Sequence, residues 1–597
     1  MAELRSALVD LFGALTAADL NLVELLGLGL ALAVSVVFGK SMYRACSRVE
    51  RACTRLGRRA VLSVAIAACL GPGLRLALLP VYPPPVPEIV DEYSHLLLAD
   101  TLAHGRLTNP THPLWRHFEA IHVIHQPTYN SIYLPGQGLF LALGQWATGQ
   151  PWAGVVLSVA LLCGAVCWML QGWLPPGWAL LGGIVVSIRV GVFSYWMNSY
   201  WGGAVAALGG ALLLGAWPRI RRSCRLRDSF WMAAGLVILM CTRPYEGLAL
   251  AVPAGIGLLI WSLRRGHGRR LRALWRIGAP VLPAVTVFGA LLCGYFWRVT
   301  GNAFLLPYAV SQRTYGWPMT LAWYEPPLIN HHHEELRRYF VWELDEHDAV
   351  LAPVRNASKT VQNLVPLWAF FFGPALTLPV LLFPNVFLDR RIRPALVAGL
   401  CVLGAVLDEQ SHYPHYFGPA AAAAALVWLQ ALRHMRAAGR RSPEMRSLAL
   451  LIPMVVGLAV VCRAAVGPYA LRFSLVGQHV SWCCSTRGFA ARPDVARRLE
   501  RIPGRHLVIV RYKPSHNFMQ AWVYNRADID GSRIVWAREL SLAENQRLLA
   551  HFKGRRAWLL EADETPPRLT PYPAGFDPLR LDRAAQAGFP PYRPELR

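Results

Sequence analysis

Charge is scarce in this chain. Only 16% of its 597 residues are charged while 54% are hydrophobic, a balance outside the range of ordinary globular domains. Four of the 60 basic residues are lysines, and the rest are arginines. The formal charge of +25 does not point to nucleic acid, because the arginines sit in short loops between apolar runs and form no stripe on one face. The 12 cysteines include no pair with metal-ribbon spacing. Most of them (Cys69, Cys163, Cys167, Cys241, Cys293, Cys401 and Cys462) fall inside apolar segments, where cysteine acts as a small hydrophobe. The neighbours Cys483 and Cys484 leave a disulfide and two thiols equally open. There is no GxGxxG, Walker A or GxSxG element in context, which removes nucleotide-driven and serine-hydrolase chemistry. No internal repeat is visible, and paired repeats with matched broken helices are what a transporter would offer. The first apolar run follows Glu3, Asp10 and Asp19 instead of a basic stretch, so a retained helix is expected there and not a cleaved leader.

What is present is apolar length. Runs of roughly 15–22 residues recur between residues 20 and 467, close to the ~20 residues that cross a bilayer. The expected spans lie near 20–39, 60–81, 153–173, 176–196, 202–217, 228–242, 246–263, 277–297, 361–383, 394–408, 417–432 and 447–467. Arginine-rich loops (40–59, 219–227, 264–276, 390–393 and 433–446) mark the cytoplasmic side. Every basic loop falls inside only if 131–149 lies along the outer interface as an amphipathic helix. The reading is therefore a mostly α, polytopic helical membrane protein of about 12 spans, with both termini outside.

Three regions are expected. Residues 1–59 supply an extra first span and a basic loop. Residues 60–469 form the main membrane module, with outer loops 82–152 and 298–360. Residues 470–597 lack a spanning run and form a small C-terminal α/β domain outside the membrane. In that domain 506–512, 533–540 and 555–563 read as strands, and 541–554 as a helix capped by Ser541 and Glu544. A proline-rich tail from Thr565 is expected to be poorly ordered.

Four polar groups of residues fall on the outer side. The first loop opens with "PVYPPPVP" and "DEYSHLLLADTLAHGRL", placing Asp91 and Glu92 in the first turn of an interfacial helix, followed by His95. Acids there cap a helix and favour its positive end; a carboxylate can equally accept a proton from an acceptor hydroxyl or amine. The second group is "SYWMNSYWGG", with Asn198 as a sugar-facing candidate and Arg189 buried in the span before it. An intramembrane arginine is a functional candidate by default, and pairing with a carboxylate is its other use. The third is "TRPYEG", where Arg243 either holds a lipid phosphate or pairs with Glu246. The fourth is "LDEQSHYPHYFGP", with His412, His415 and Tyr416 as a polar loop or the wall of a binding site. "NHHHEELRRYF" has no established metal spacing and reads as a solvated helix start.

With these residues in view, the chain resembles the GT-C superfamily of membrane glycosyltransferases, in particular the branch of protein O-mannosyltransferases and lipid A aminoarabinose transferases. "DEYSHLLLADTLAHGRL" is similar to that family's acidic first-loop motif, and "YNSIYLPGQGLFLALGQWATG" to its second loop helix. The resemblance covers roughly residues 60–470 and implies a polyprenyl-phosphate-linked sugar donor, transfer with inversion and an acidic base in the first outer loop. Carried onto this sequence, Asp91 is the base, Glu92 orients donor or acceptor, and Arg243 holds the phosphate. Tyr129 and Tyr133 join the substrate-binding candidates. The chain departs from the family in its extra first span and in "HQPTYNSIYLPGQ", which leaves the acceptor (protein, lipid or glycan) open. No cofactor is required by this reading, although a divalent metal is compatible with it. The expected partners are the lipid-linked donor, an acceptor and the bilayer, with no nucleic acid. Arginine in place of lysine and the lack of organelle signals point to a bacterial inner membrane, with the site on the periplasmic side. A transporter or flippase for a lipid-linked sugar is the alternative function, and a structural membrane subunit the third.

Overall fold

The computed structural model describes residues 19–316, 321, 329–351, 357–439, 442–466, 482 and 491–572. Cys483, Cys484 and the tail beyond residue 572 lie outside the described residues. The chain divides into two compact units, Met1–Pro84 with Trp152–Leu291 and Ala349–Thr486, and Pro85–Pro151 with Leu292–Asp348 and Arg487–Arg597.

The first unit is helical. Each expected span coincides with helix, but length and composition qualify fewer of them. Among the described residues, five helices are long and apolar enough to cross a membrane: Ala60–Ala77, Pro151–Trp173, Pro244–Leu263, His267–Thr300 and Pro443–Ala465. A sixth arises if the bent pair Leu364–Phe371 and Gly373–Leu382 counts as one. Others, such as Pro176–Gly191 and Arg393–Leu407, fall short of the ~20 residues a bilayer requires.

The expected continuous span 361–383 is corrected by the structure, which bends it by 82°. The sequence reason is "FFGPAL". Gly373 adopts φ +60°, a left-handed conformation that glycine takes without steric cost. The proline that follows supplies no backbone N–H and starts the second helix in its first turn.

In the second unit the acidic helix Val90–Ala103 packs on Pro135–Thr148. A Cβ at Gly138 would lie 2.6 Å from the Leu98 side chain, so the close approach requires glycine there. At 14 residues, Pro135–Thr148 is too short to cross a bilayer upright. A small antiparallel sheet joins Asn109–Pro110, Thr128–Ser131 and Val123–Ile124, with Thr128–Ser131 central.

The C-terminal segment contributes a four-stranded sheet in the order Ile534–Arg538, His506–Arg511, Arg556–Glu561, Arg568–Pro571. The first three strands run parallel and the last antiparallel. Leu542–His551 starts at Ser541 with the expected Ser–Glu capping box. The tail is ordered further than expected, since Arg568–Pro571 pairs with Arg556–Glu561 as an edge strand.

Strand His506–Arg511 is buried along nearly its whole length, the pattern of a strand covered on both faces. Leu507 and Ile509 face a core shared with Tyr93, Leu97, Phe118, Ile121, Leu336 and Phe340. Val508 and Val510 face a second core with Val495, Leu499, Trp522 and Trp536. Residues 90–129, the segment around residue 336 and the C-terminal strands therefore share one core. A single small sheet does not bury both its faces alone.

Candidate functional site

Two neighbouring acids start the acidic helix, and they take different jobs. Ile89 is extended as the N-cap residue. Glu92 is buried, and its Oε2 accepts from the N–H of Glu88 at 2.7 Å and of Ile89 at 3.3 Å. Those are orphan donors ahead of the first turn, so Glu92 closes the helix start. Asp91 sits one residue earlier, rotated by about 100° around the helix, and points elsewhere. Its Oδ1 accepts from the Tyr133 hydroxyl and lies 3.4 Å from His122 Nδ1.

Tyr133 is fixed from several sides. His95 stacks on its ring at 4.2 Å with 18° between planes, and Tyr308 meets it edge-on. His122 has φ +61°, unusual for a residue other than glycine. Its carbonyl accepts from Ser94 Oγ at 2.6 Å and the Ile132 N–H at 3.3 Å, which hold the turn. Its Nδ1 is 3.1 Å from the Tyr133 hydroxyl and its Nε2 2.9 Å from the Tyr339 hydroxyl. Tyr339 in turn donates to Glu343.

The Asp91 side chain keeps 16% of its surface exposed. Burial alone would raise its pKa. When the His122 ring carries its second proton, its charge and hydrogen bond, with the Tyr133 hydroxyl and His95, outweigh burial and hold the carboxyl well below the usual range. Burial and the Asp91 charge push the Tyr133 phenol far up. The site thus presents an ionised carboxylate braced by a phenol that stays protonated.

Of the sequence candidates, Asp91, His95 and Tyr133 come together. Tyr129 goes elsewhere, donating to the Asn525 carbonyl at 3.0 Å; it lies within strand Thr128–Ser131, whereas Tyr133 comes after the strand has ended. His122, Tyr308, Tyr339 and Glu343 were missed. Tyr339 and Glu343 were detectable in principle, since i and i+4 share one helix face.

The remaining candidates belong to the helical unit. Arg243 lies over the Tyr416 ring at 4.0 Å and pairs with Glu246 at 3.3 Å, with its side chain 26% exposed. Tyr245 donates to Asp408 at 2.9 Å. His415 Nδ1 is 3.1 Å from the Tyr195 hydroxyl, and His412 is buried nearby in sequence.

Arg189 pairs with buried Glu24 at 3.3 Å and donates to the carbonyls of Phe370 and Ala369. Glu24 accepts from the Ala375 N–H at 2.8 Å, and the Trp482 ring lies 4.2 Å from the guanidinium. Arginine thus terminates one half of the bent pair and glutamate starts the other, matching the sign of each helix end. Asn198 accepts from Arg75 Nε at 2.7 Å and donates to the carbonyls of Val192 and Ser194. Both residues brace backbone.

The triple histidine is not a solvated helix start. His332 and His333 converge on buried Glu119 at 3.3 and 3.0 Å, and His331 meets the Tyr315 carbonyl at 2.7 Å. The ring of His333 lowers the Glu119 carboxyl to about 2 against the opposing effect of burial.

For a metal, the group whose ligand atoms converge among the described residues is His112, Asp530 and His551, all within 4.8 Å. Its bonding favours protons. His112 Nδ1 accepts the Leu114 N–H at 2.9 Å, so a neutral ring carries its proton on Nε2 and donates it to Asp530, 3.3 Å away. Ligation through Nε2 would require the other tautomer and the loss of that bond.

No family model matches the chain, and no curated protein matches it. Solved structures do align. ArnT from Cupriavidus metallidurans bound to undecaprenyl phosphate is 11% identical over 84% of this chain and 94% of that one, with a TM-score of 0.45. Its apo form gives a TM-score of 0.42 at 11% identity, covering 82% and 92%. The apo oligosaccharyltransferase of Archaeoglobus fulgidus is 11% identical over 84% of this chain and 69% of that one, with a TM-score of 0.37.

Proposed function

We propose that the chain is a membrane glycosyltransferase moving a sugar from a polyprenyl-phosphate-linked donor to an acceptor at the outer face of a membrane, with inversion and with Asp91 as the base. The observation that carries this reading is the division of labour at the acidic helix. Glu92 does the capping, which leaves Asp91 with no structural duty in the helix start. An ionised, partly exposed carboxylate among phenols and imidazoles is equipped to take a proton from an acceptor hydroxyl or amine. As the acceptor oxygen or nitrogen attacks the anomeric carbon, the bond to the phosphate breaks and the lipid phosphate leaves with the electron pair. A leaving phosphate needs a cation to steady its developing charge. Arg243, in the helical unit, is the residue we assign to it, since an arginine fork matches phosphate oxygens. Arg189 drops out of the substrate-binding set, because it is held by Glu24 and two carbonyls with only 4% of its side chain exposed, against 26% for Arg243 beside Glu246, and Asn198 drops out because its amide is spent on Arg75 and two backbone carbonyls. Glu92 leaves the catalytic pair on the same ground.

The test is transfer of radiolabelled sugar from polyprenyl-phosphate donors in membranes expressing wild type, Asp91→Asn or Arg243→Ala at equal protein levels. Label reaching an acceptor in wild type and not in Asp91→Asn supports the base. Transfer that survives in Asp91→Asn removes it, and a wild type inert with every donor class removes the transferase reading.

A further inference from the structure

The proton taken by Asp91 needs somewhere to go, and the second unit contains a path. Tyr133 has one hydroxyl proton and gives it to Asp91. Tyr339 has one and gives it to Glu343, with the oxygens 2.5 Å apart. Both phenol oxygens therefore face the His122 ring as acceptors. Asp91 Oδ1 and Tyr133 Oη lie 3.4 and 3.1 Å from Nδ1, and Tyr339 Oη lies 2.9 Å from Nε2. A neutral imidazole has one N–H and can satisfy only one of these sides. With its proton on Nε2, toward Tyr339, it presents a lone pair on Nδ1 to Asp91. A second proton completes the set, since an imidazolium donates both ways, and the Glu343 and Asp91 carboxylates flank the charge so formed.

Resting on the glycosyltransferase reading, we infer that His122 is a positioning residue that stores the acceptor's proton behind Asp91, and that Tyr339 and Glu343 hold it there. The step balances. The acceptor X–H proton passes to Asp91 Oδ1 as the X–C1 bond forms and the C1–O(phosphate) bond breaks. It then moves to His122 Nδ1, restoring the Asp91 carboxylate, and leaves from the imidazolium to water after product release. Other titratable groups facing this cluster are His95 on the acidic helix, Tyr308 on Pro307–Tyr315, and Tyr524 of the C-terminal segment, whose hydroxyl is engaged with the Ile121 carbonyl. None of these stands between Asp91 and the two ring nitrogens of His122.

The relay predicts an acidic limb in the pH profile. Where His122 is already protonated the store is full, so kcat falls as pH drops through its titration. Glu343→Gln removes the charge that favours the imidazolium and moves this limb to lower pH. Tyr339→Phe lowers kcat several-fold with KM unchanged. His122→Gly suits the backbone, because glycine takes φ near +60° without steric cost. It should lose kcat by about 100-fold, the low end of what a proton-transfer group contributes, and recover with added imidazole, whereas Asp91→Asn does not recover.

A purely structural His122 would leave the limb in place in Glu343→Gln and show no imidazole rescue, and that pair of results overturns the inference. Histidine 15N NMR of the solubilised protein, assigned by the signal missing in His122→Gly, separates the two levels of failure. If wild type shows no transfer, the transferase reading falls and the catalytic inference with it. If transfer occurs but Glu343→Gln leaves the pH of the His122 signal change unmoved, the relay alone fails.

Discussion

Each unit holds a charged group near a helix end, and the company each keeps is different. Arg189, in the helical unit, is surrounded by the Glu24 carboxylate, two carbonyls and an indole face. Asp91, in the other unit, is surrounded by a phenol and two imidazoles. Backbone carbonyls do not exchange protons near neutral pH, so charges bound to them are fixed parts of the frame. Imidazoles do exchange them, so a carboxylate bound to one sits in a site that can change its charge state. A place at a helix end and close partners are common to both residues, and the lability of the partners is what separates bracing from chemistry.

The sharpest way to break this contrast is at Arg189. Removing one member of a buried pair leaves the other unpaired and costs about 3–5 kcal/mol. Arg189→Met should therefore lower the melting temperature of the solubilised protein severely, and Glu24→Met added to it should cost less than the two single losses combined. A stable Arg189→Met that merely stops transfer would return Arg189 to the substrate site. Asp91→Asn should give the opposite pattern, with the melting temperature nearly held and kcat down by about 10²–10⁴-fold.

How far the sequence reached follows the same division. Apolar length located the helices, and the period-2 and capping signals located the C-terminal strands and the start at Ser541. The Asp91–Glu92 pair was legible as a helix start because adjacent acids follow a proline run. Which of the two capped was not legible, since that depends on which side of the first turn each faces. His122, Tyr339 and Glu343 come from segments more than 200 residues apart in sequence, and one chain carries no signal for such pairing. The break at Gly373 was readable from "GP", yet the apolar run on either side concealed it. The role of Arg189 depended on Glu24, which lies in the span treated as an extra.

A smaller effect sharpens the contrast within the second unit. His125 is buried, and burial, opposed by Glu119, lowers its ring from the ordinary 6.5 to about 4. Its neutral form is the one the fold prefers. The stability it contributes is full above about 6.5 and is lost as pH falls toward 4, because the unfolded chain then binds the proton more readily. A shift of this size corresponds to about 3 kcal/mol at the limit. Melting curves from pH 7 to 4 should flatten in His125→Phe relative to wild type, and parallel curves would show that another group carries the acid sensitivity.

The smallest effect is the most discriminating. Glu92 satisfies two N–H groups at the helix start, so Glu92→Ala forfeits a cap and costs about 1 kcal/mol of stability. Its neighbour's chemistry should survive, with kcat within a few-fold of wild type once protein levels are matched. Glu92→Gln keeps one acceptor oxygen and should recover part of the stability. If Glu92→Ala instead abolishes transfer while melting normally, the two acids share the catalytic work and the division between cap and base fails. If it melts early and still transfers sugar, adjacent carboxylates in one helical turn do separate work.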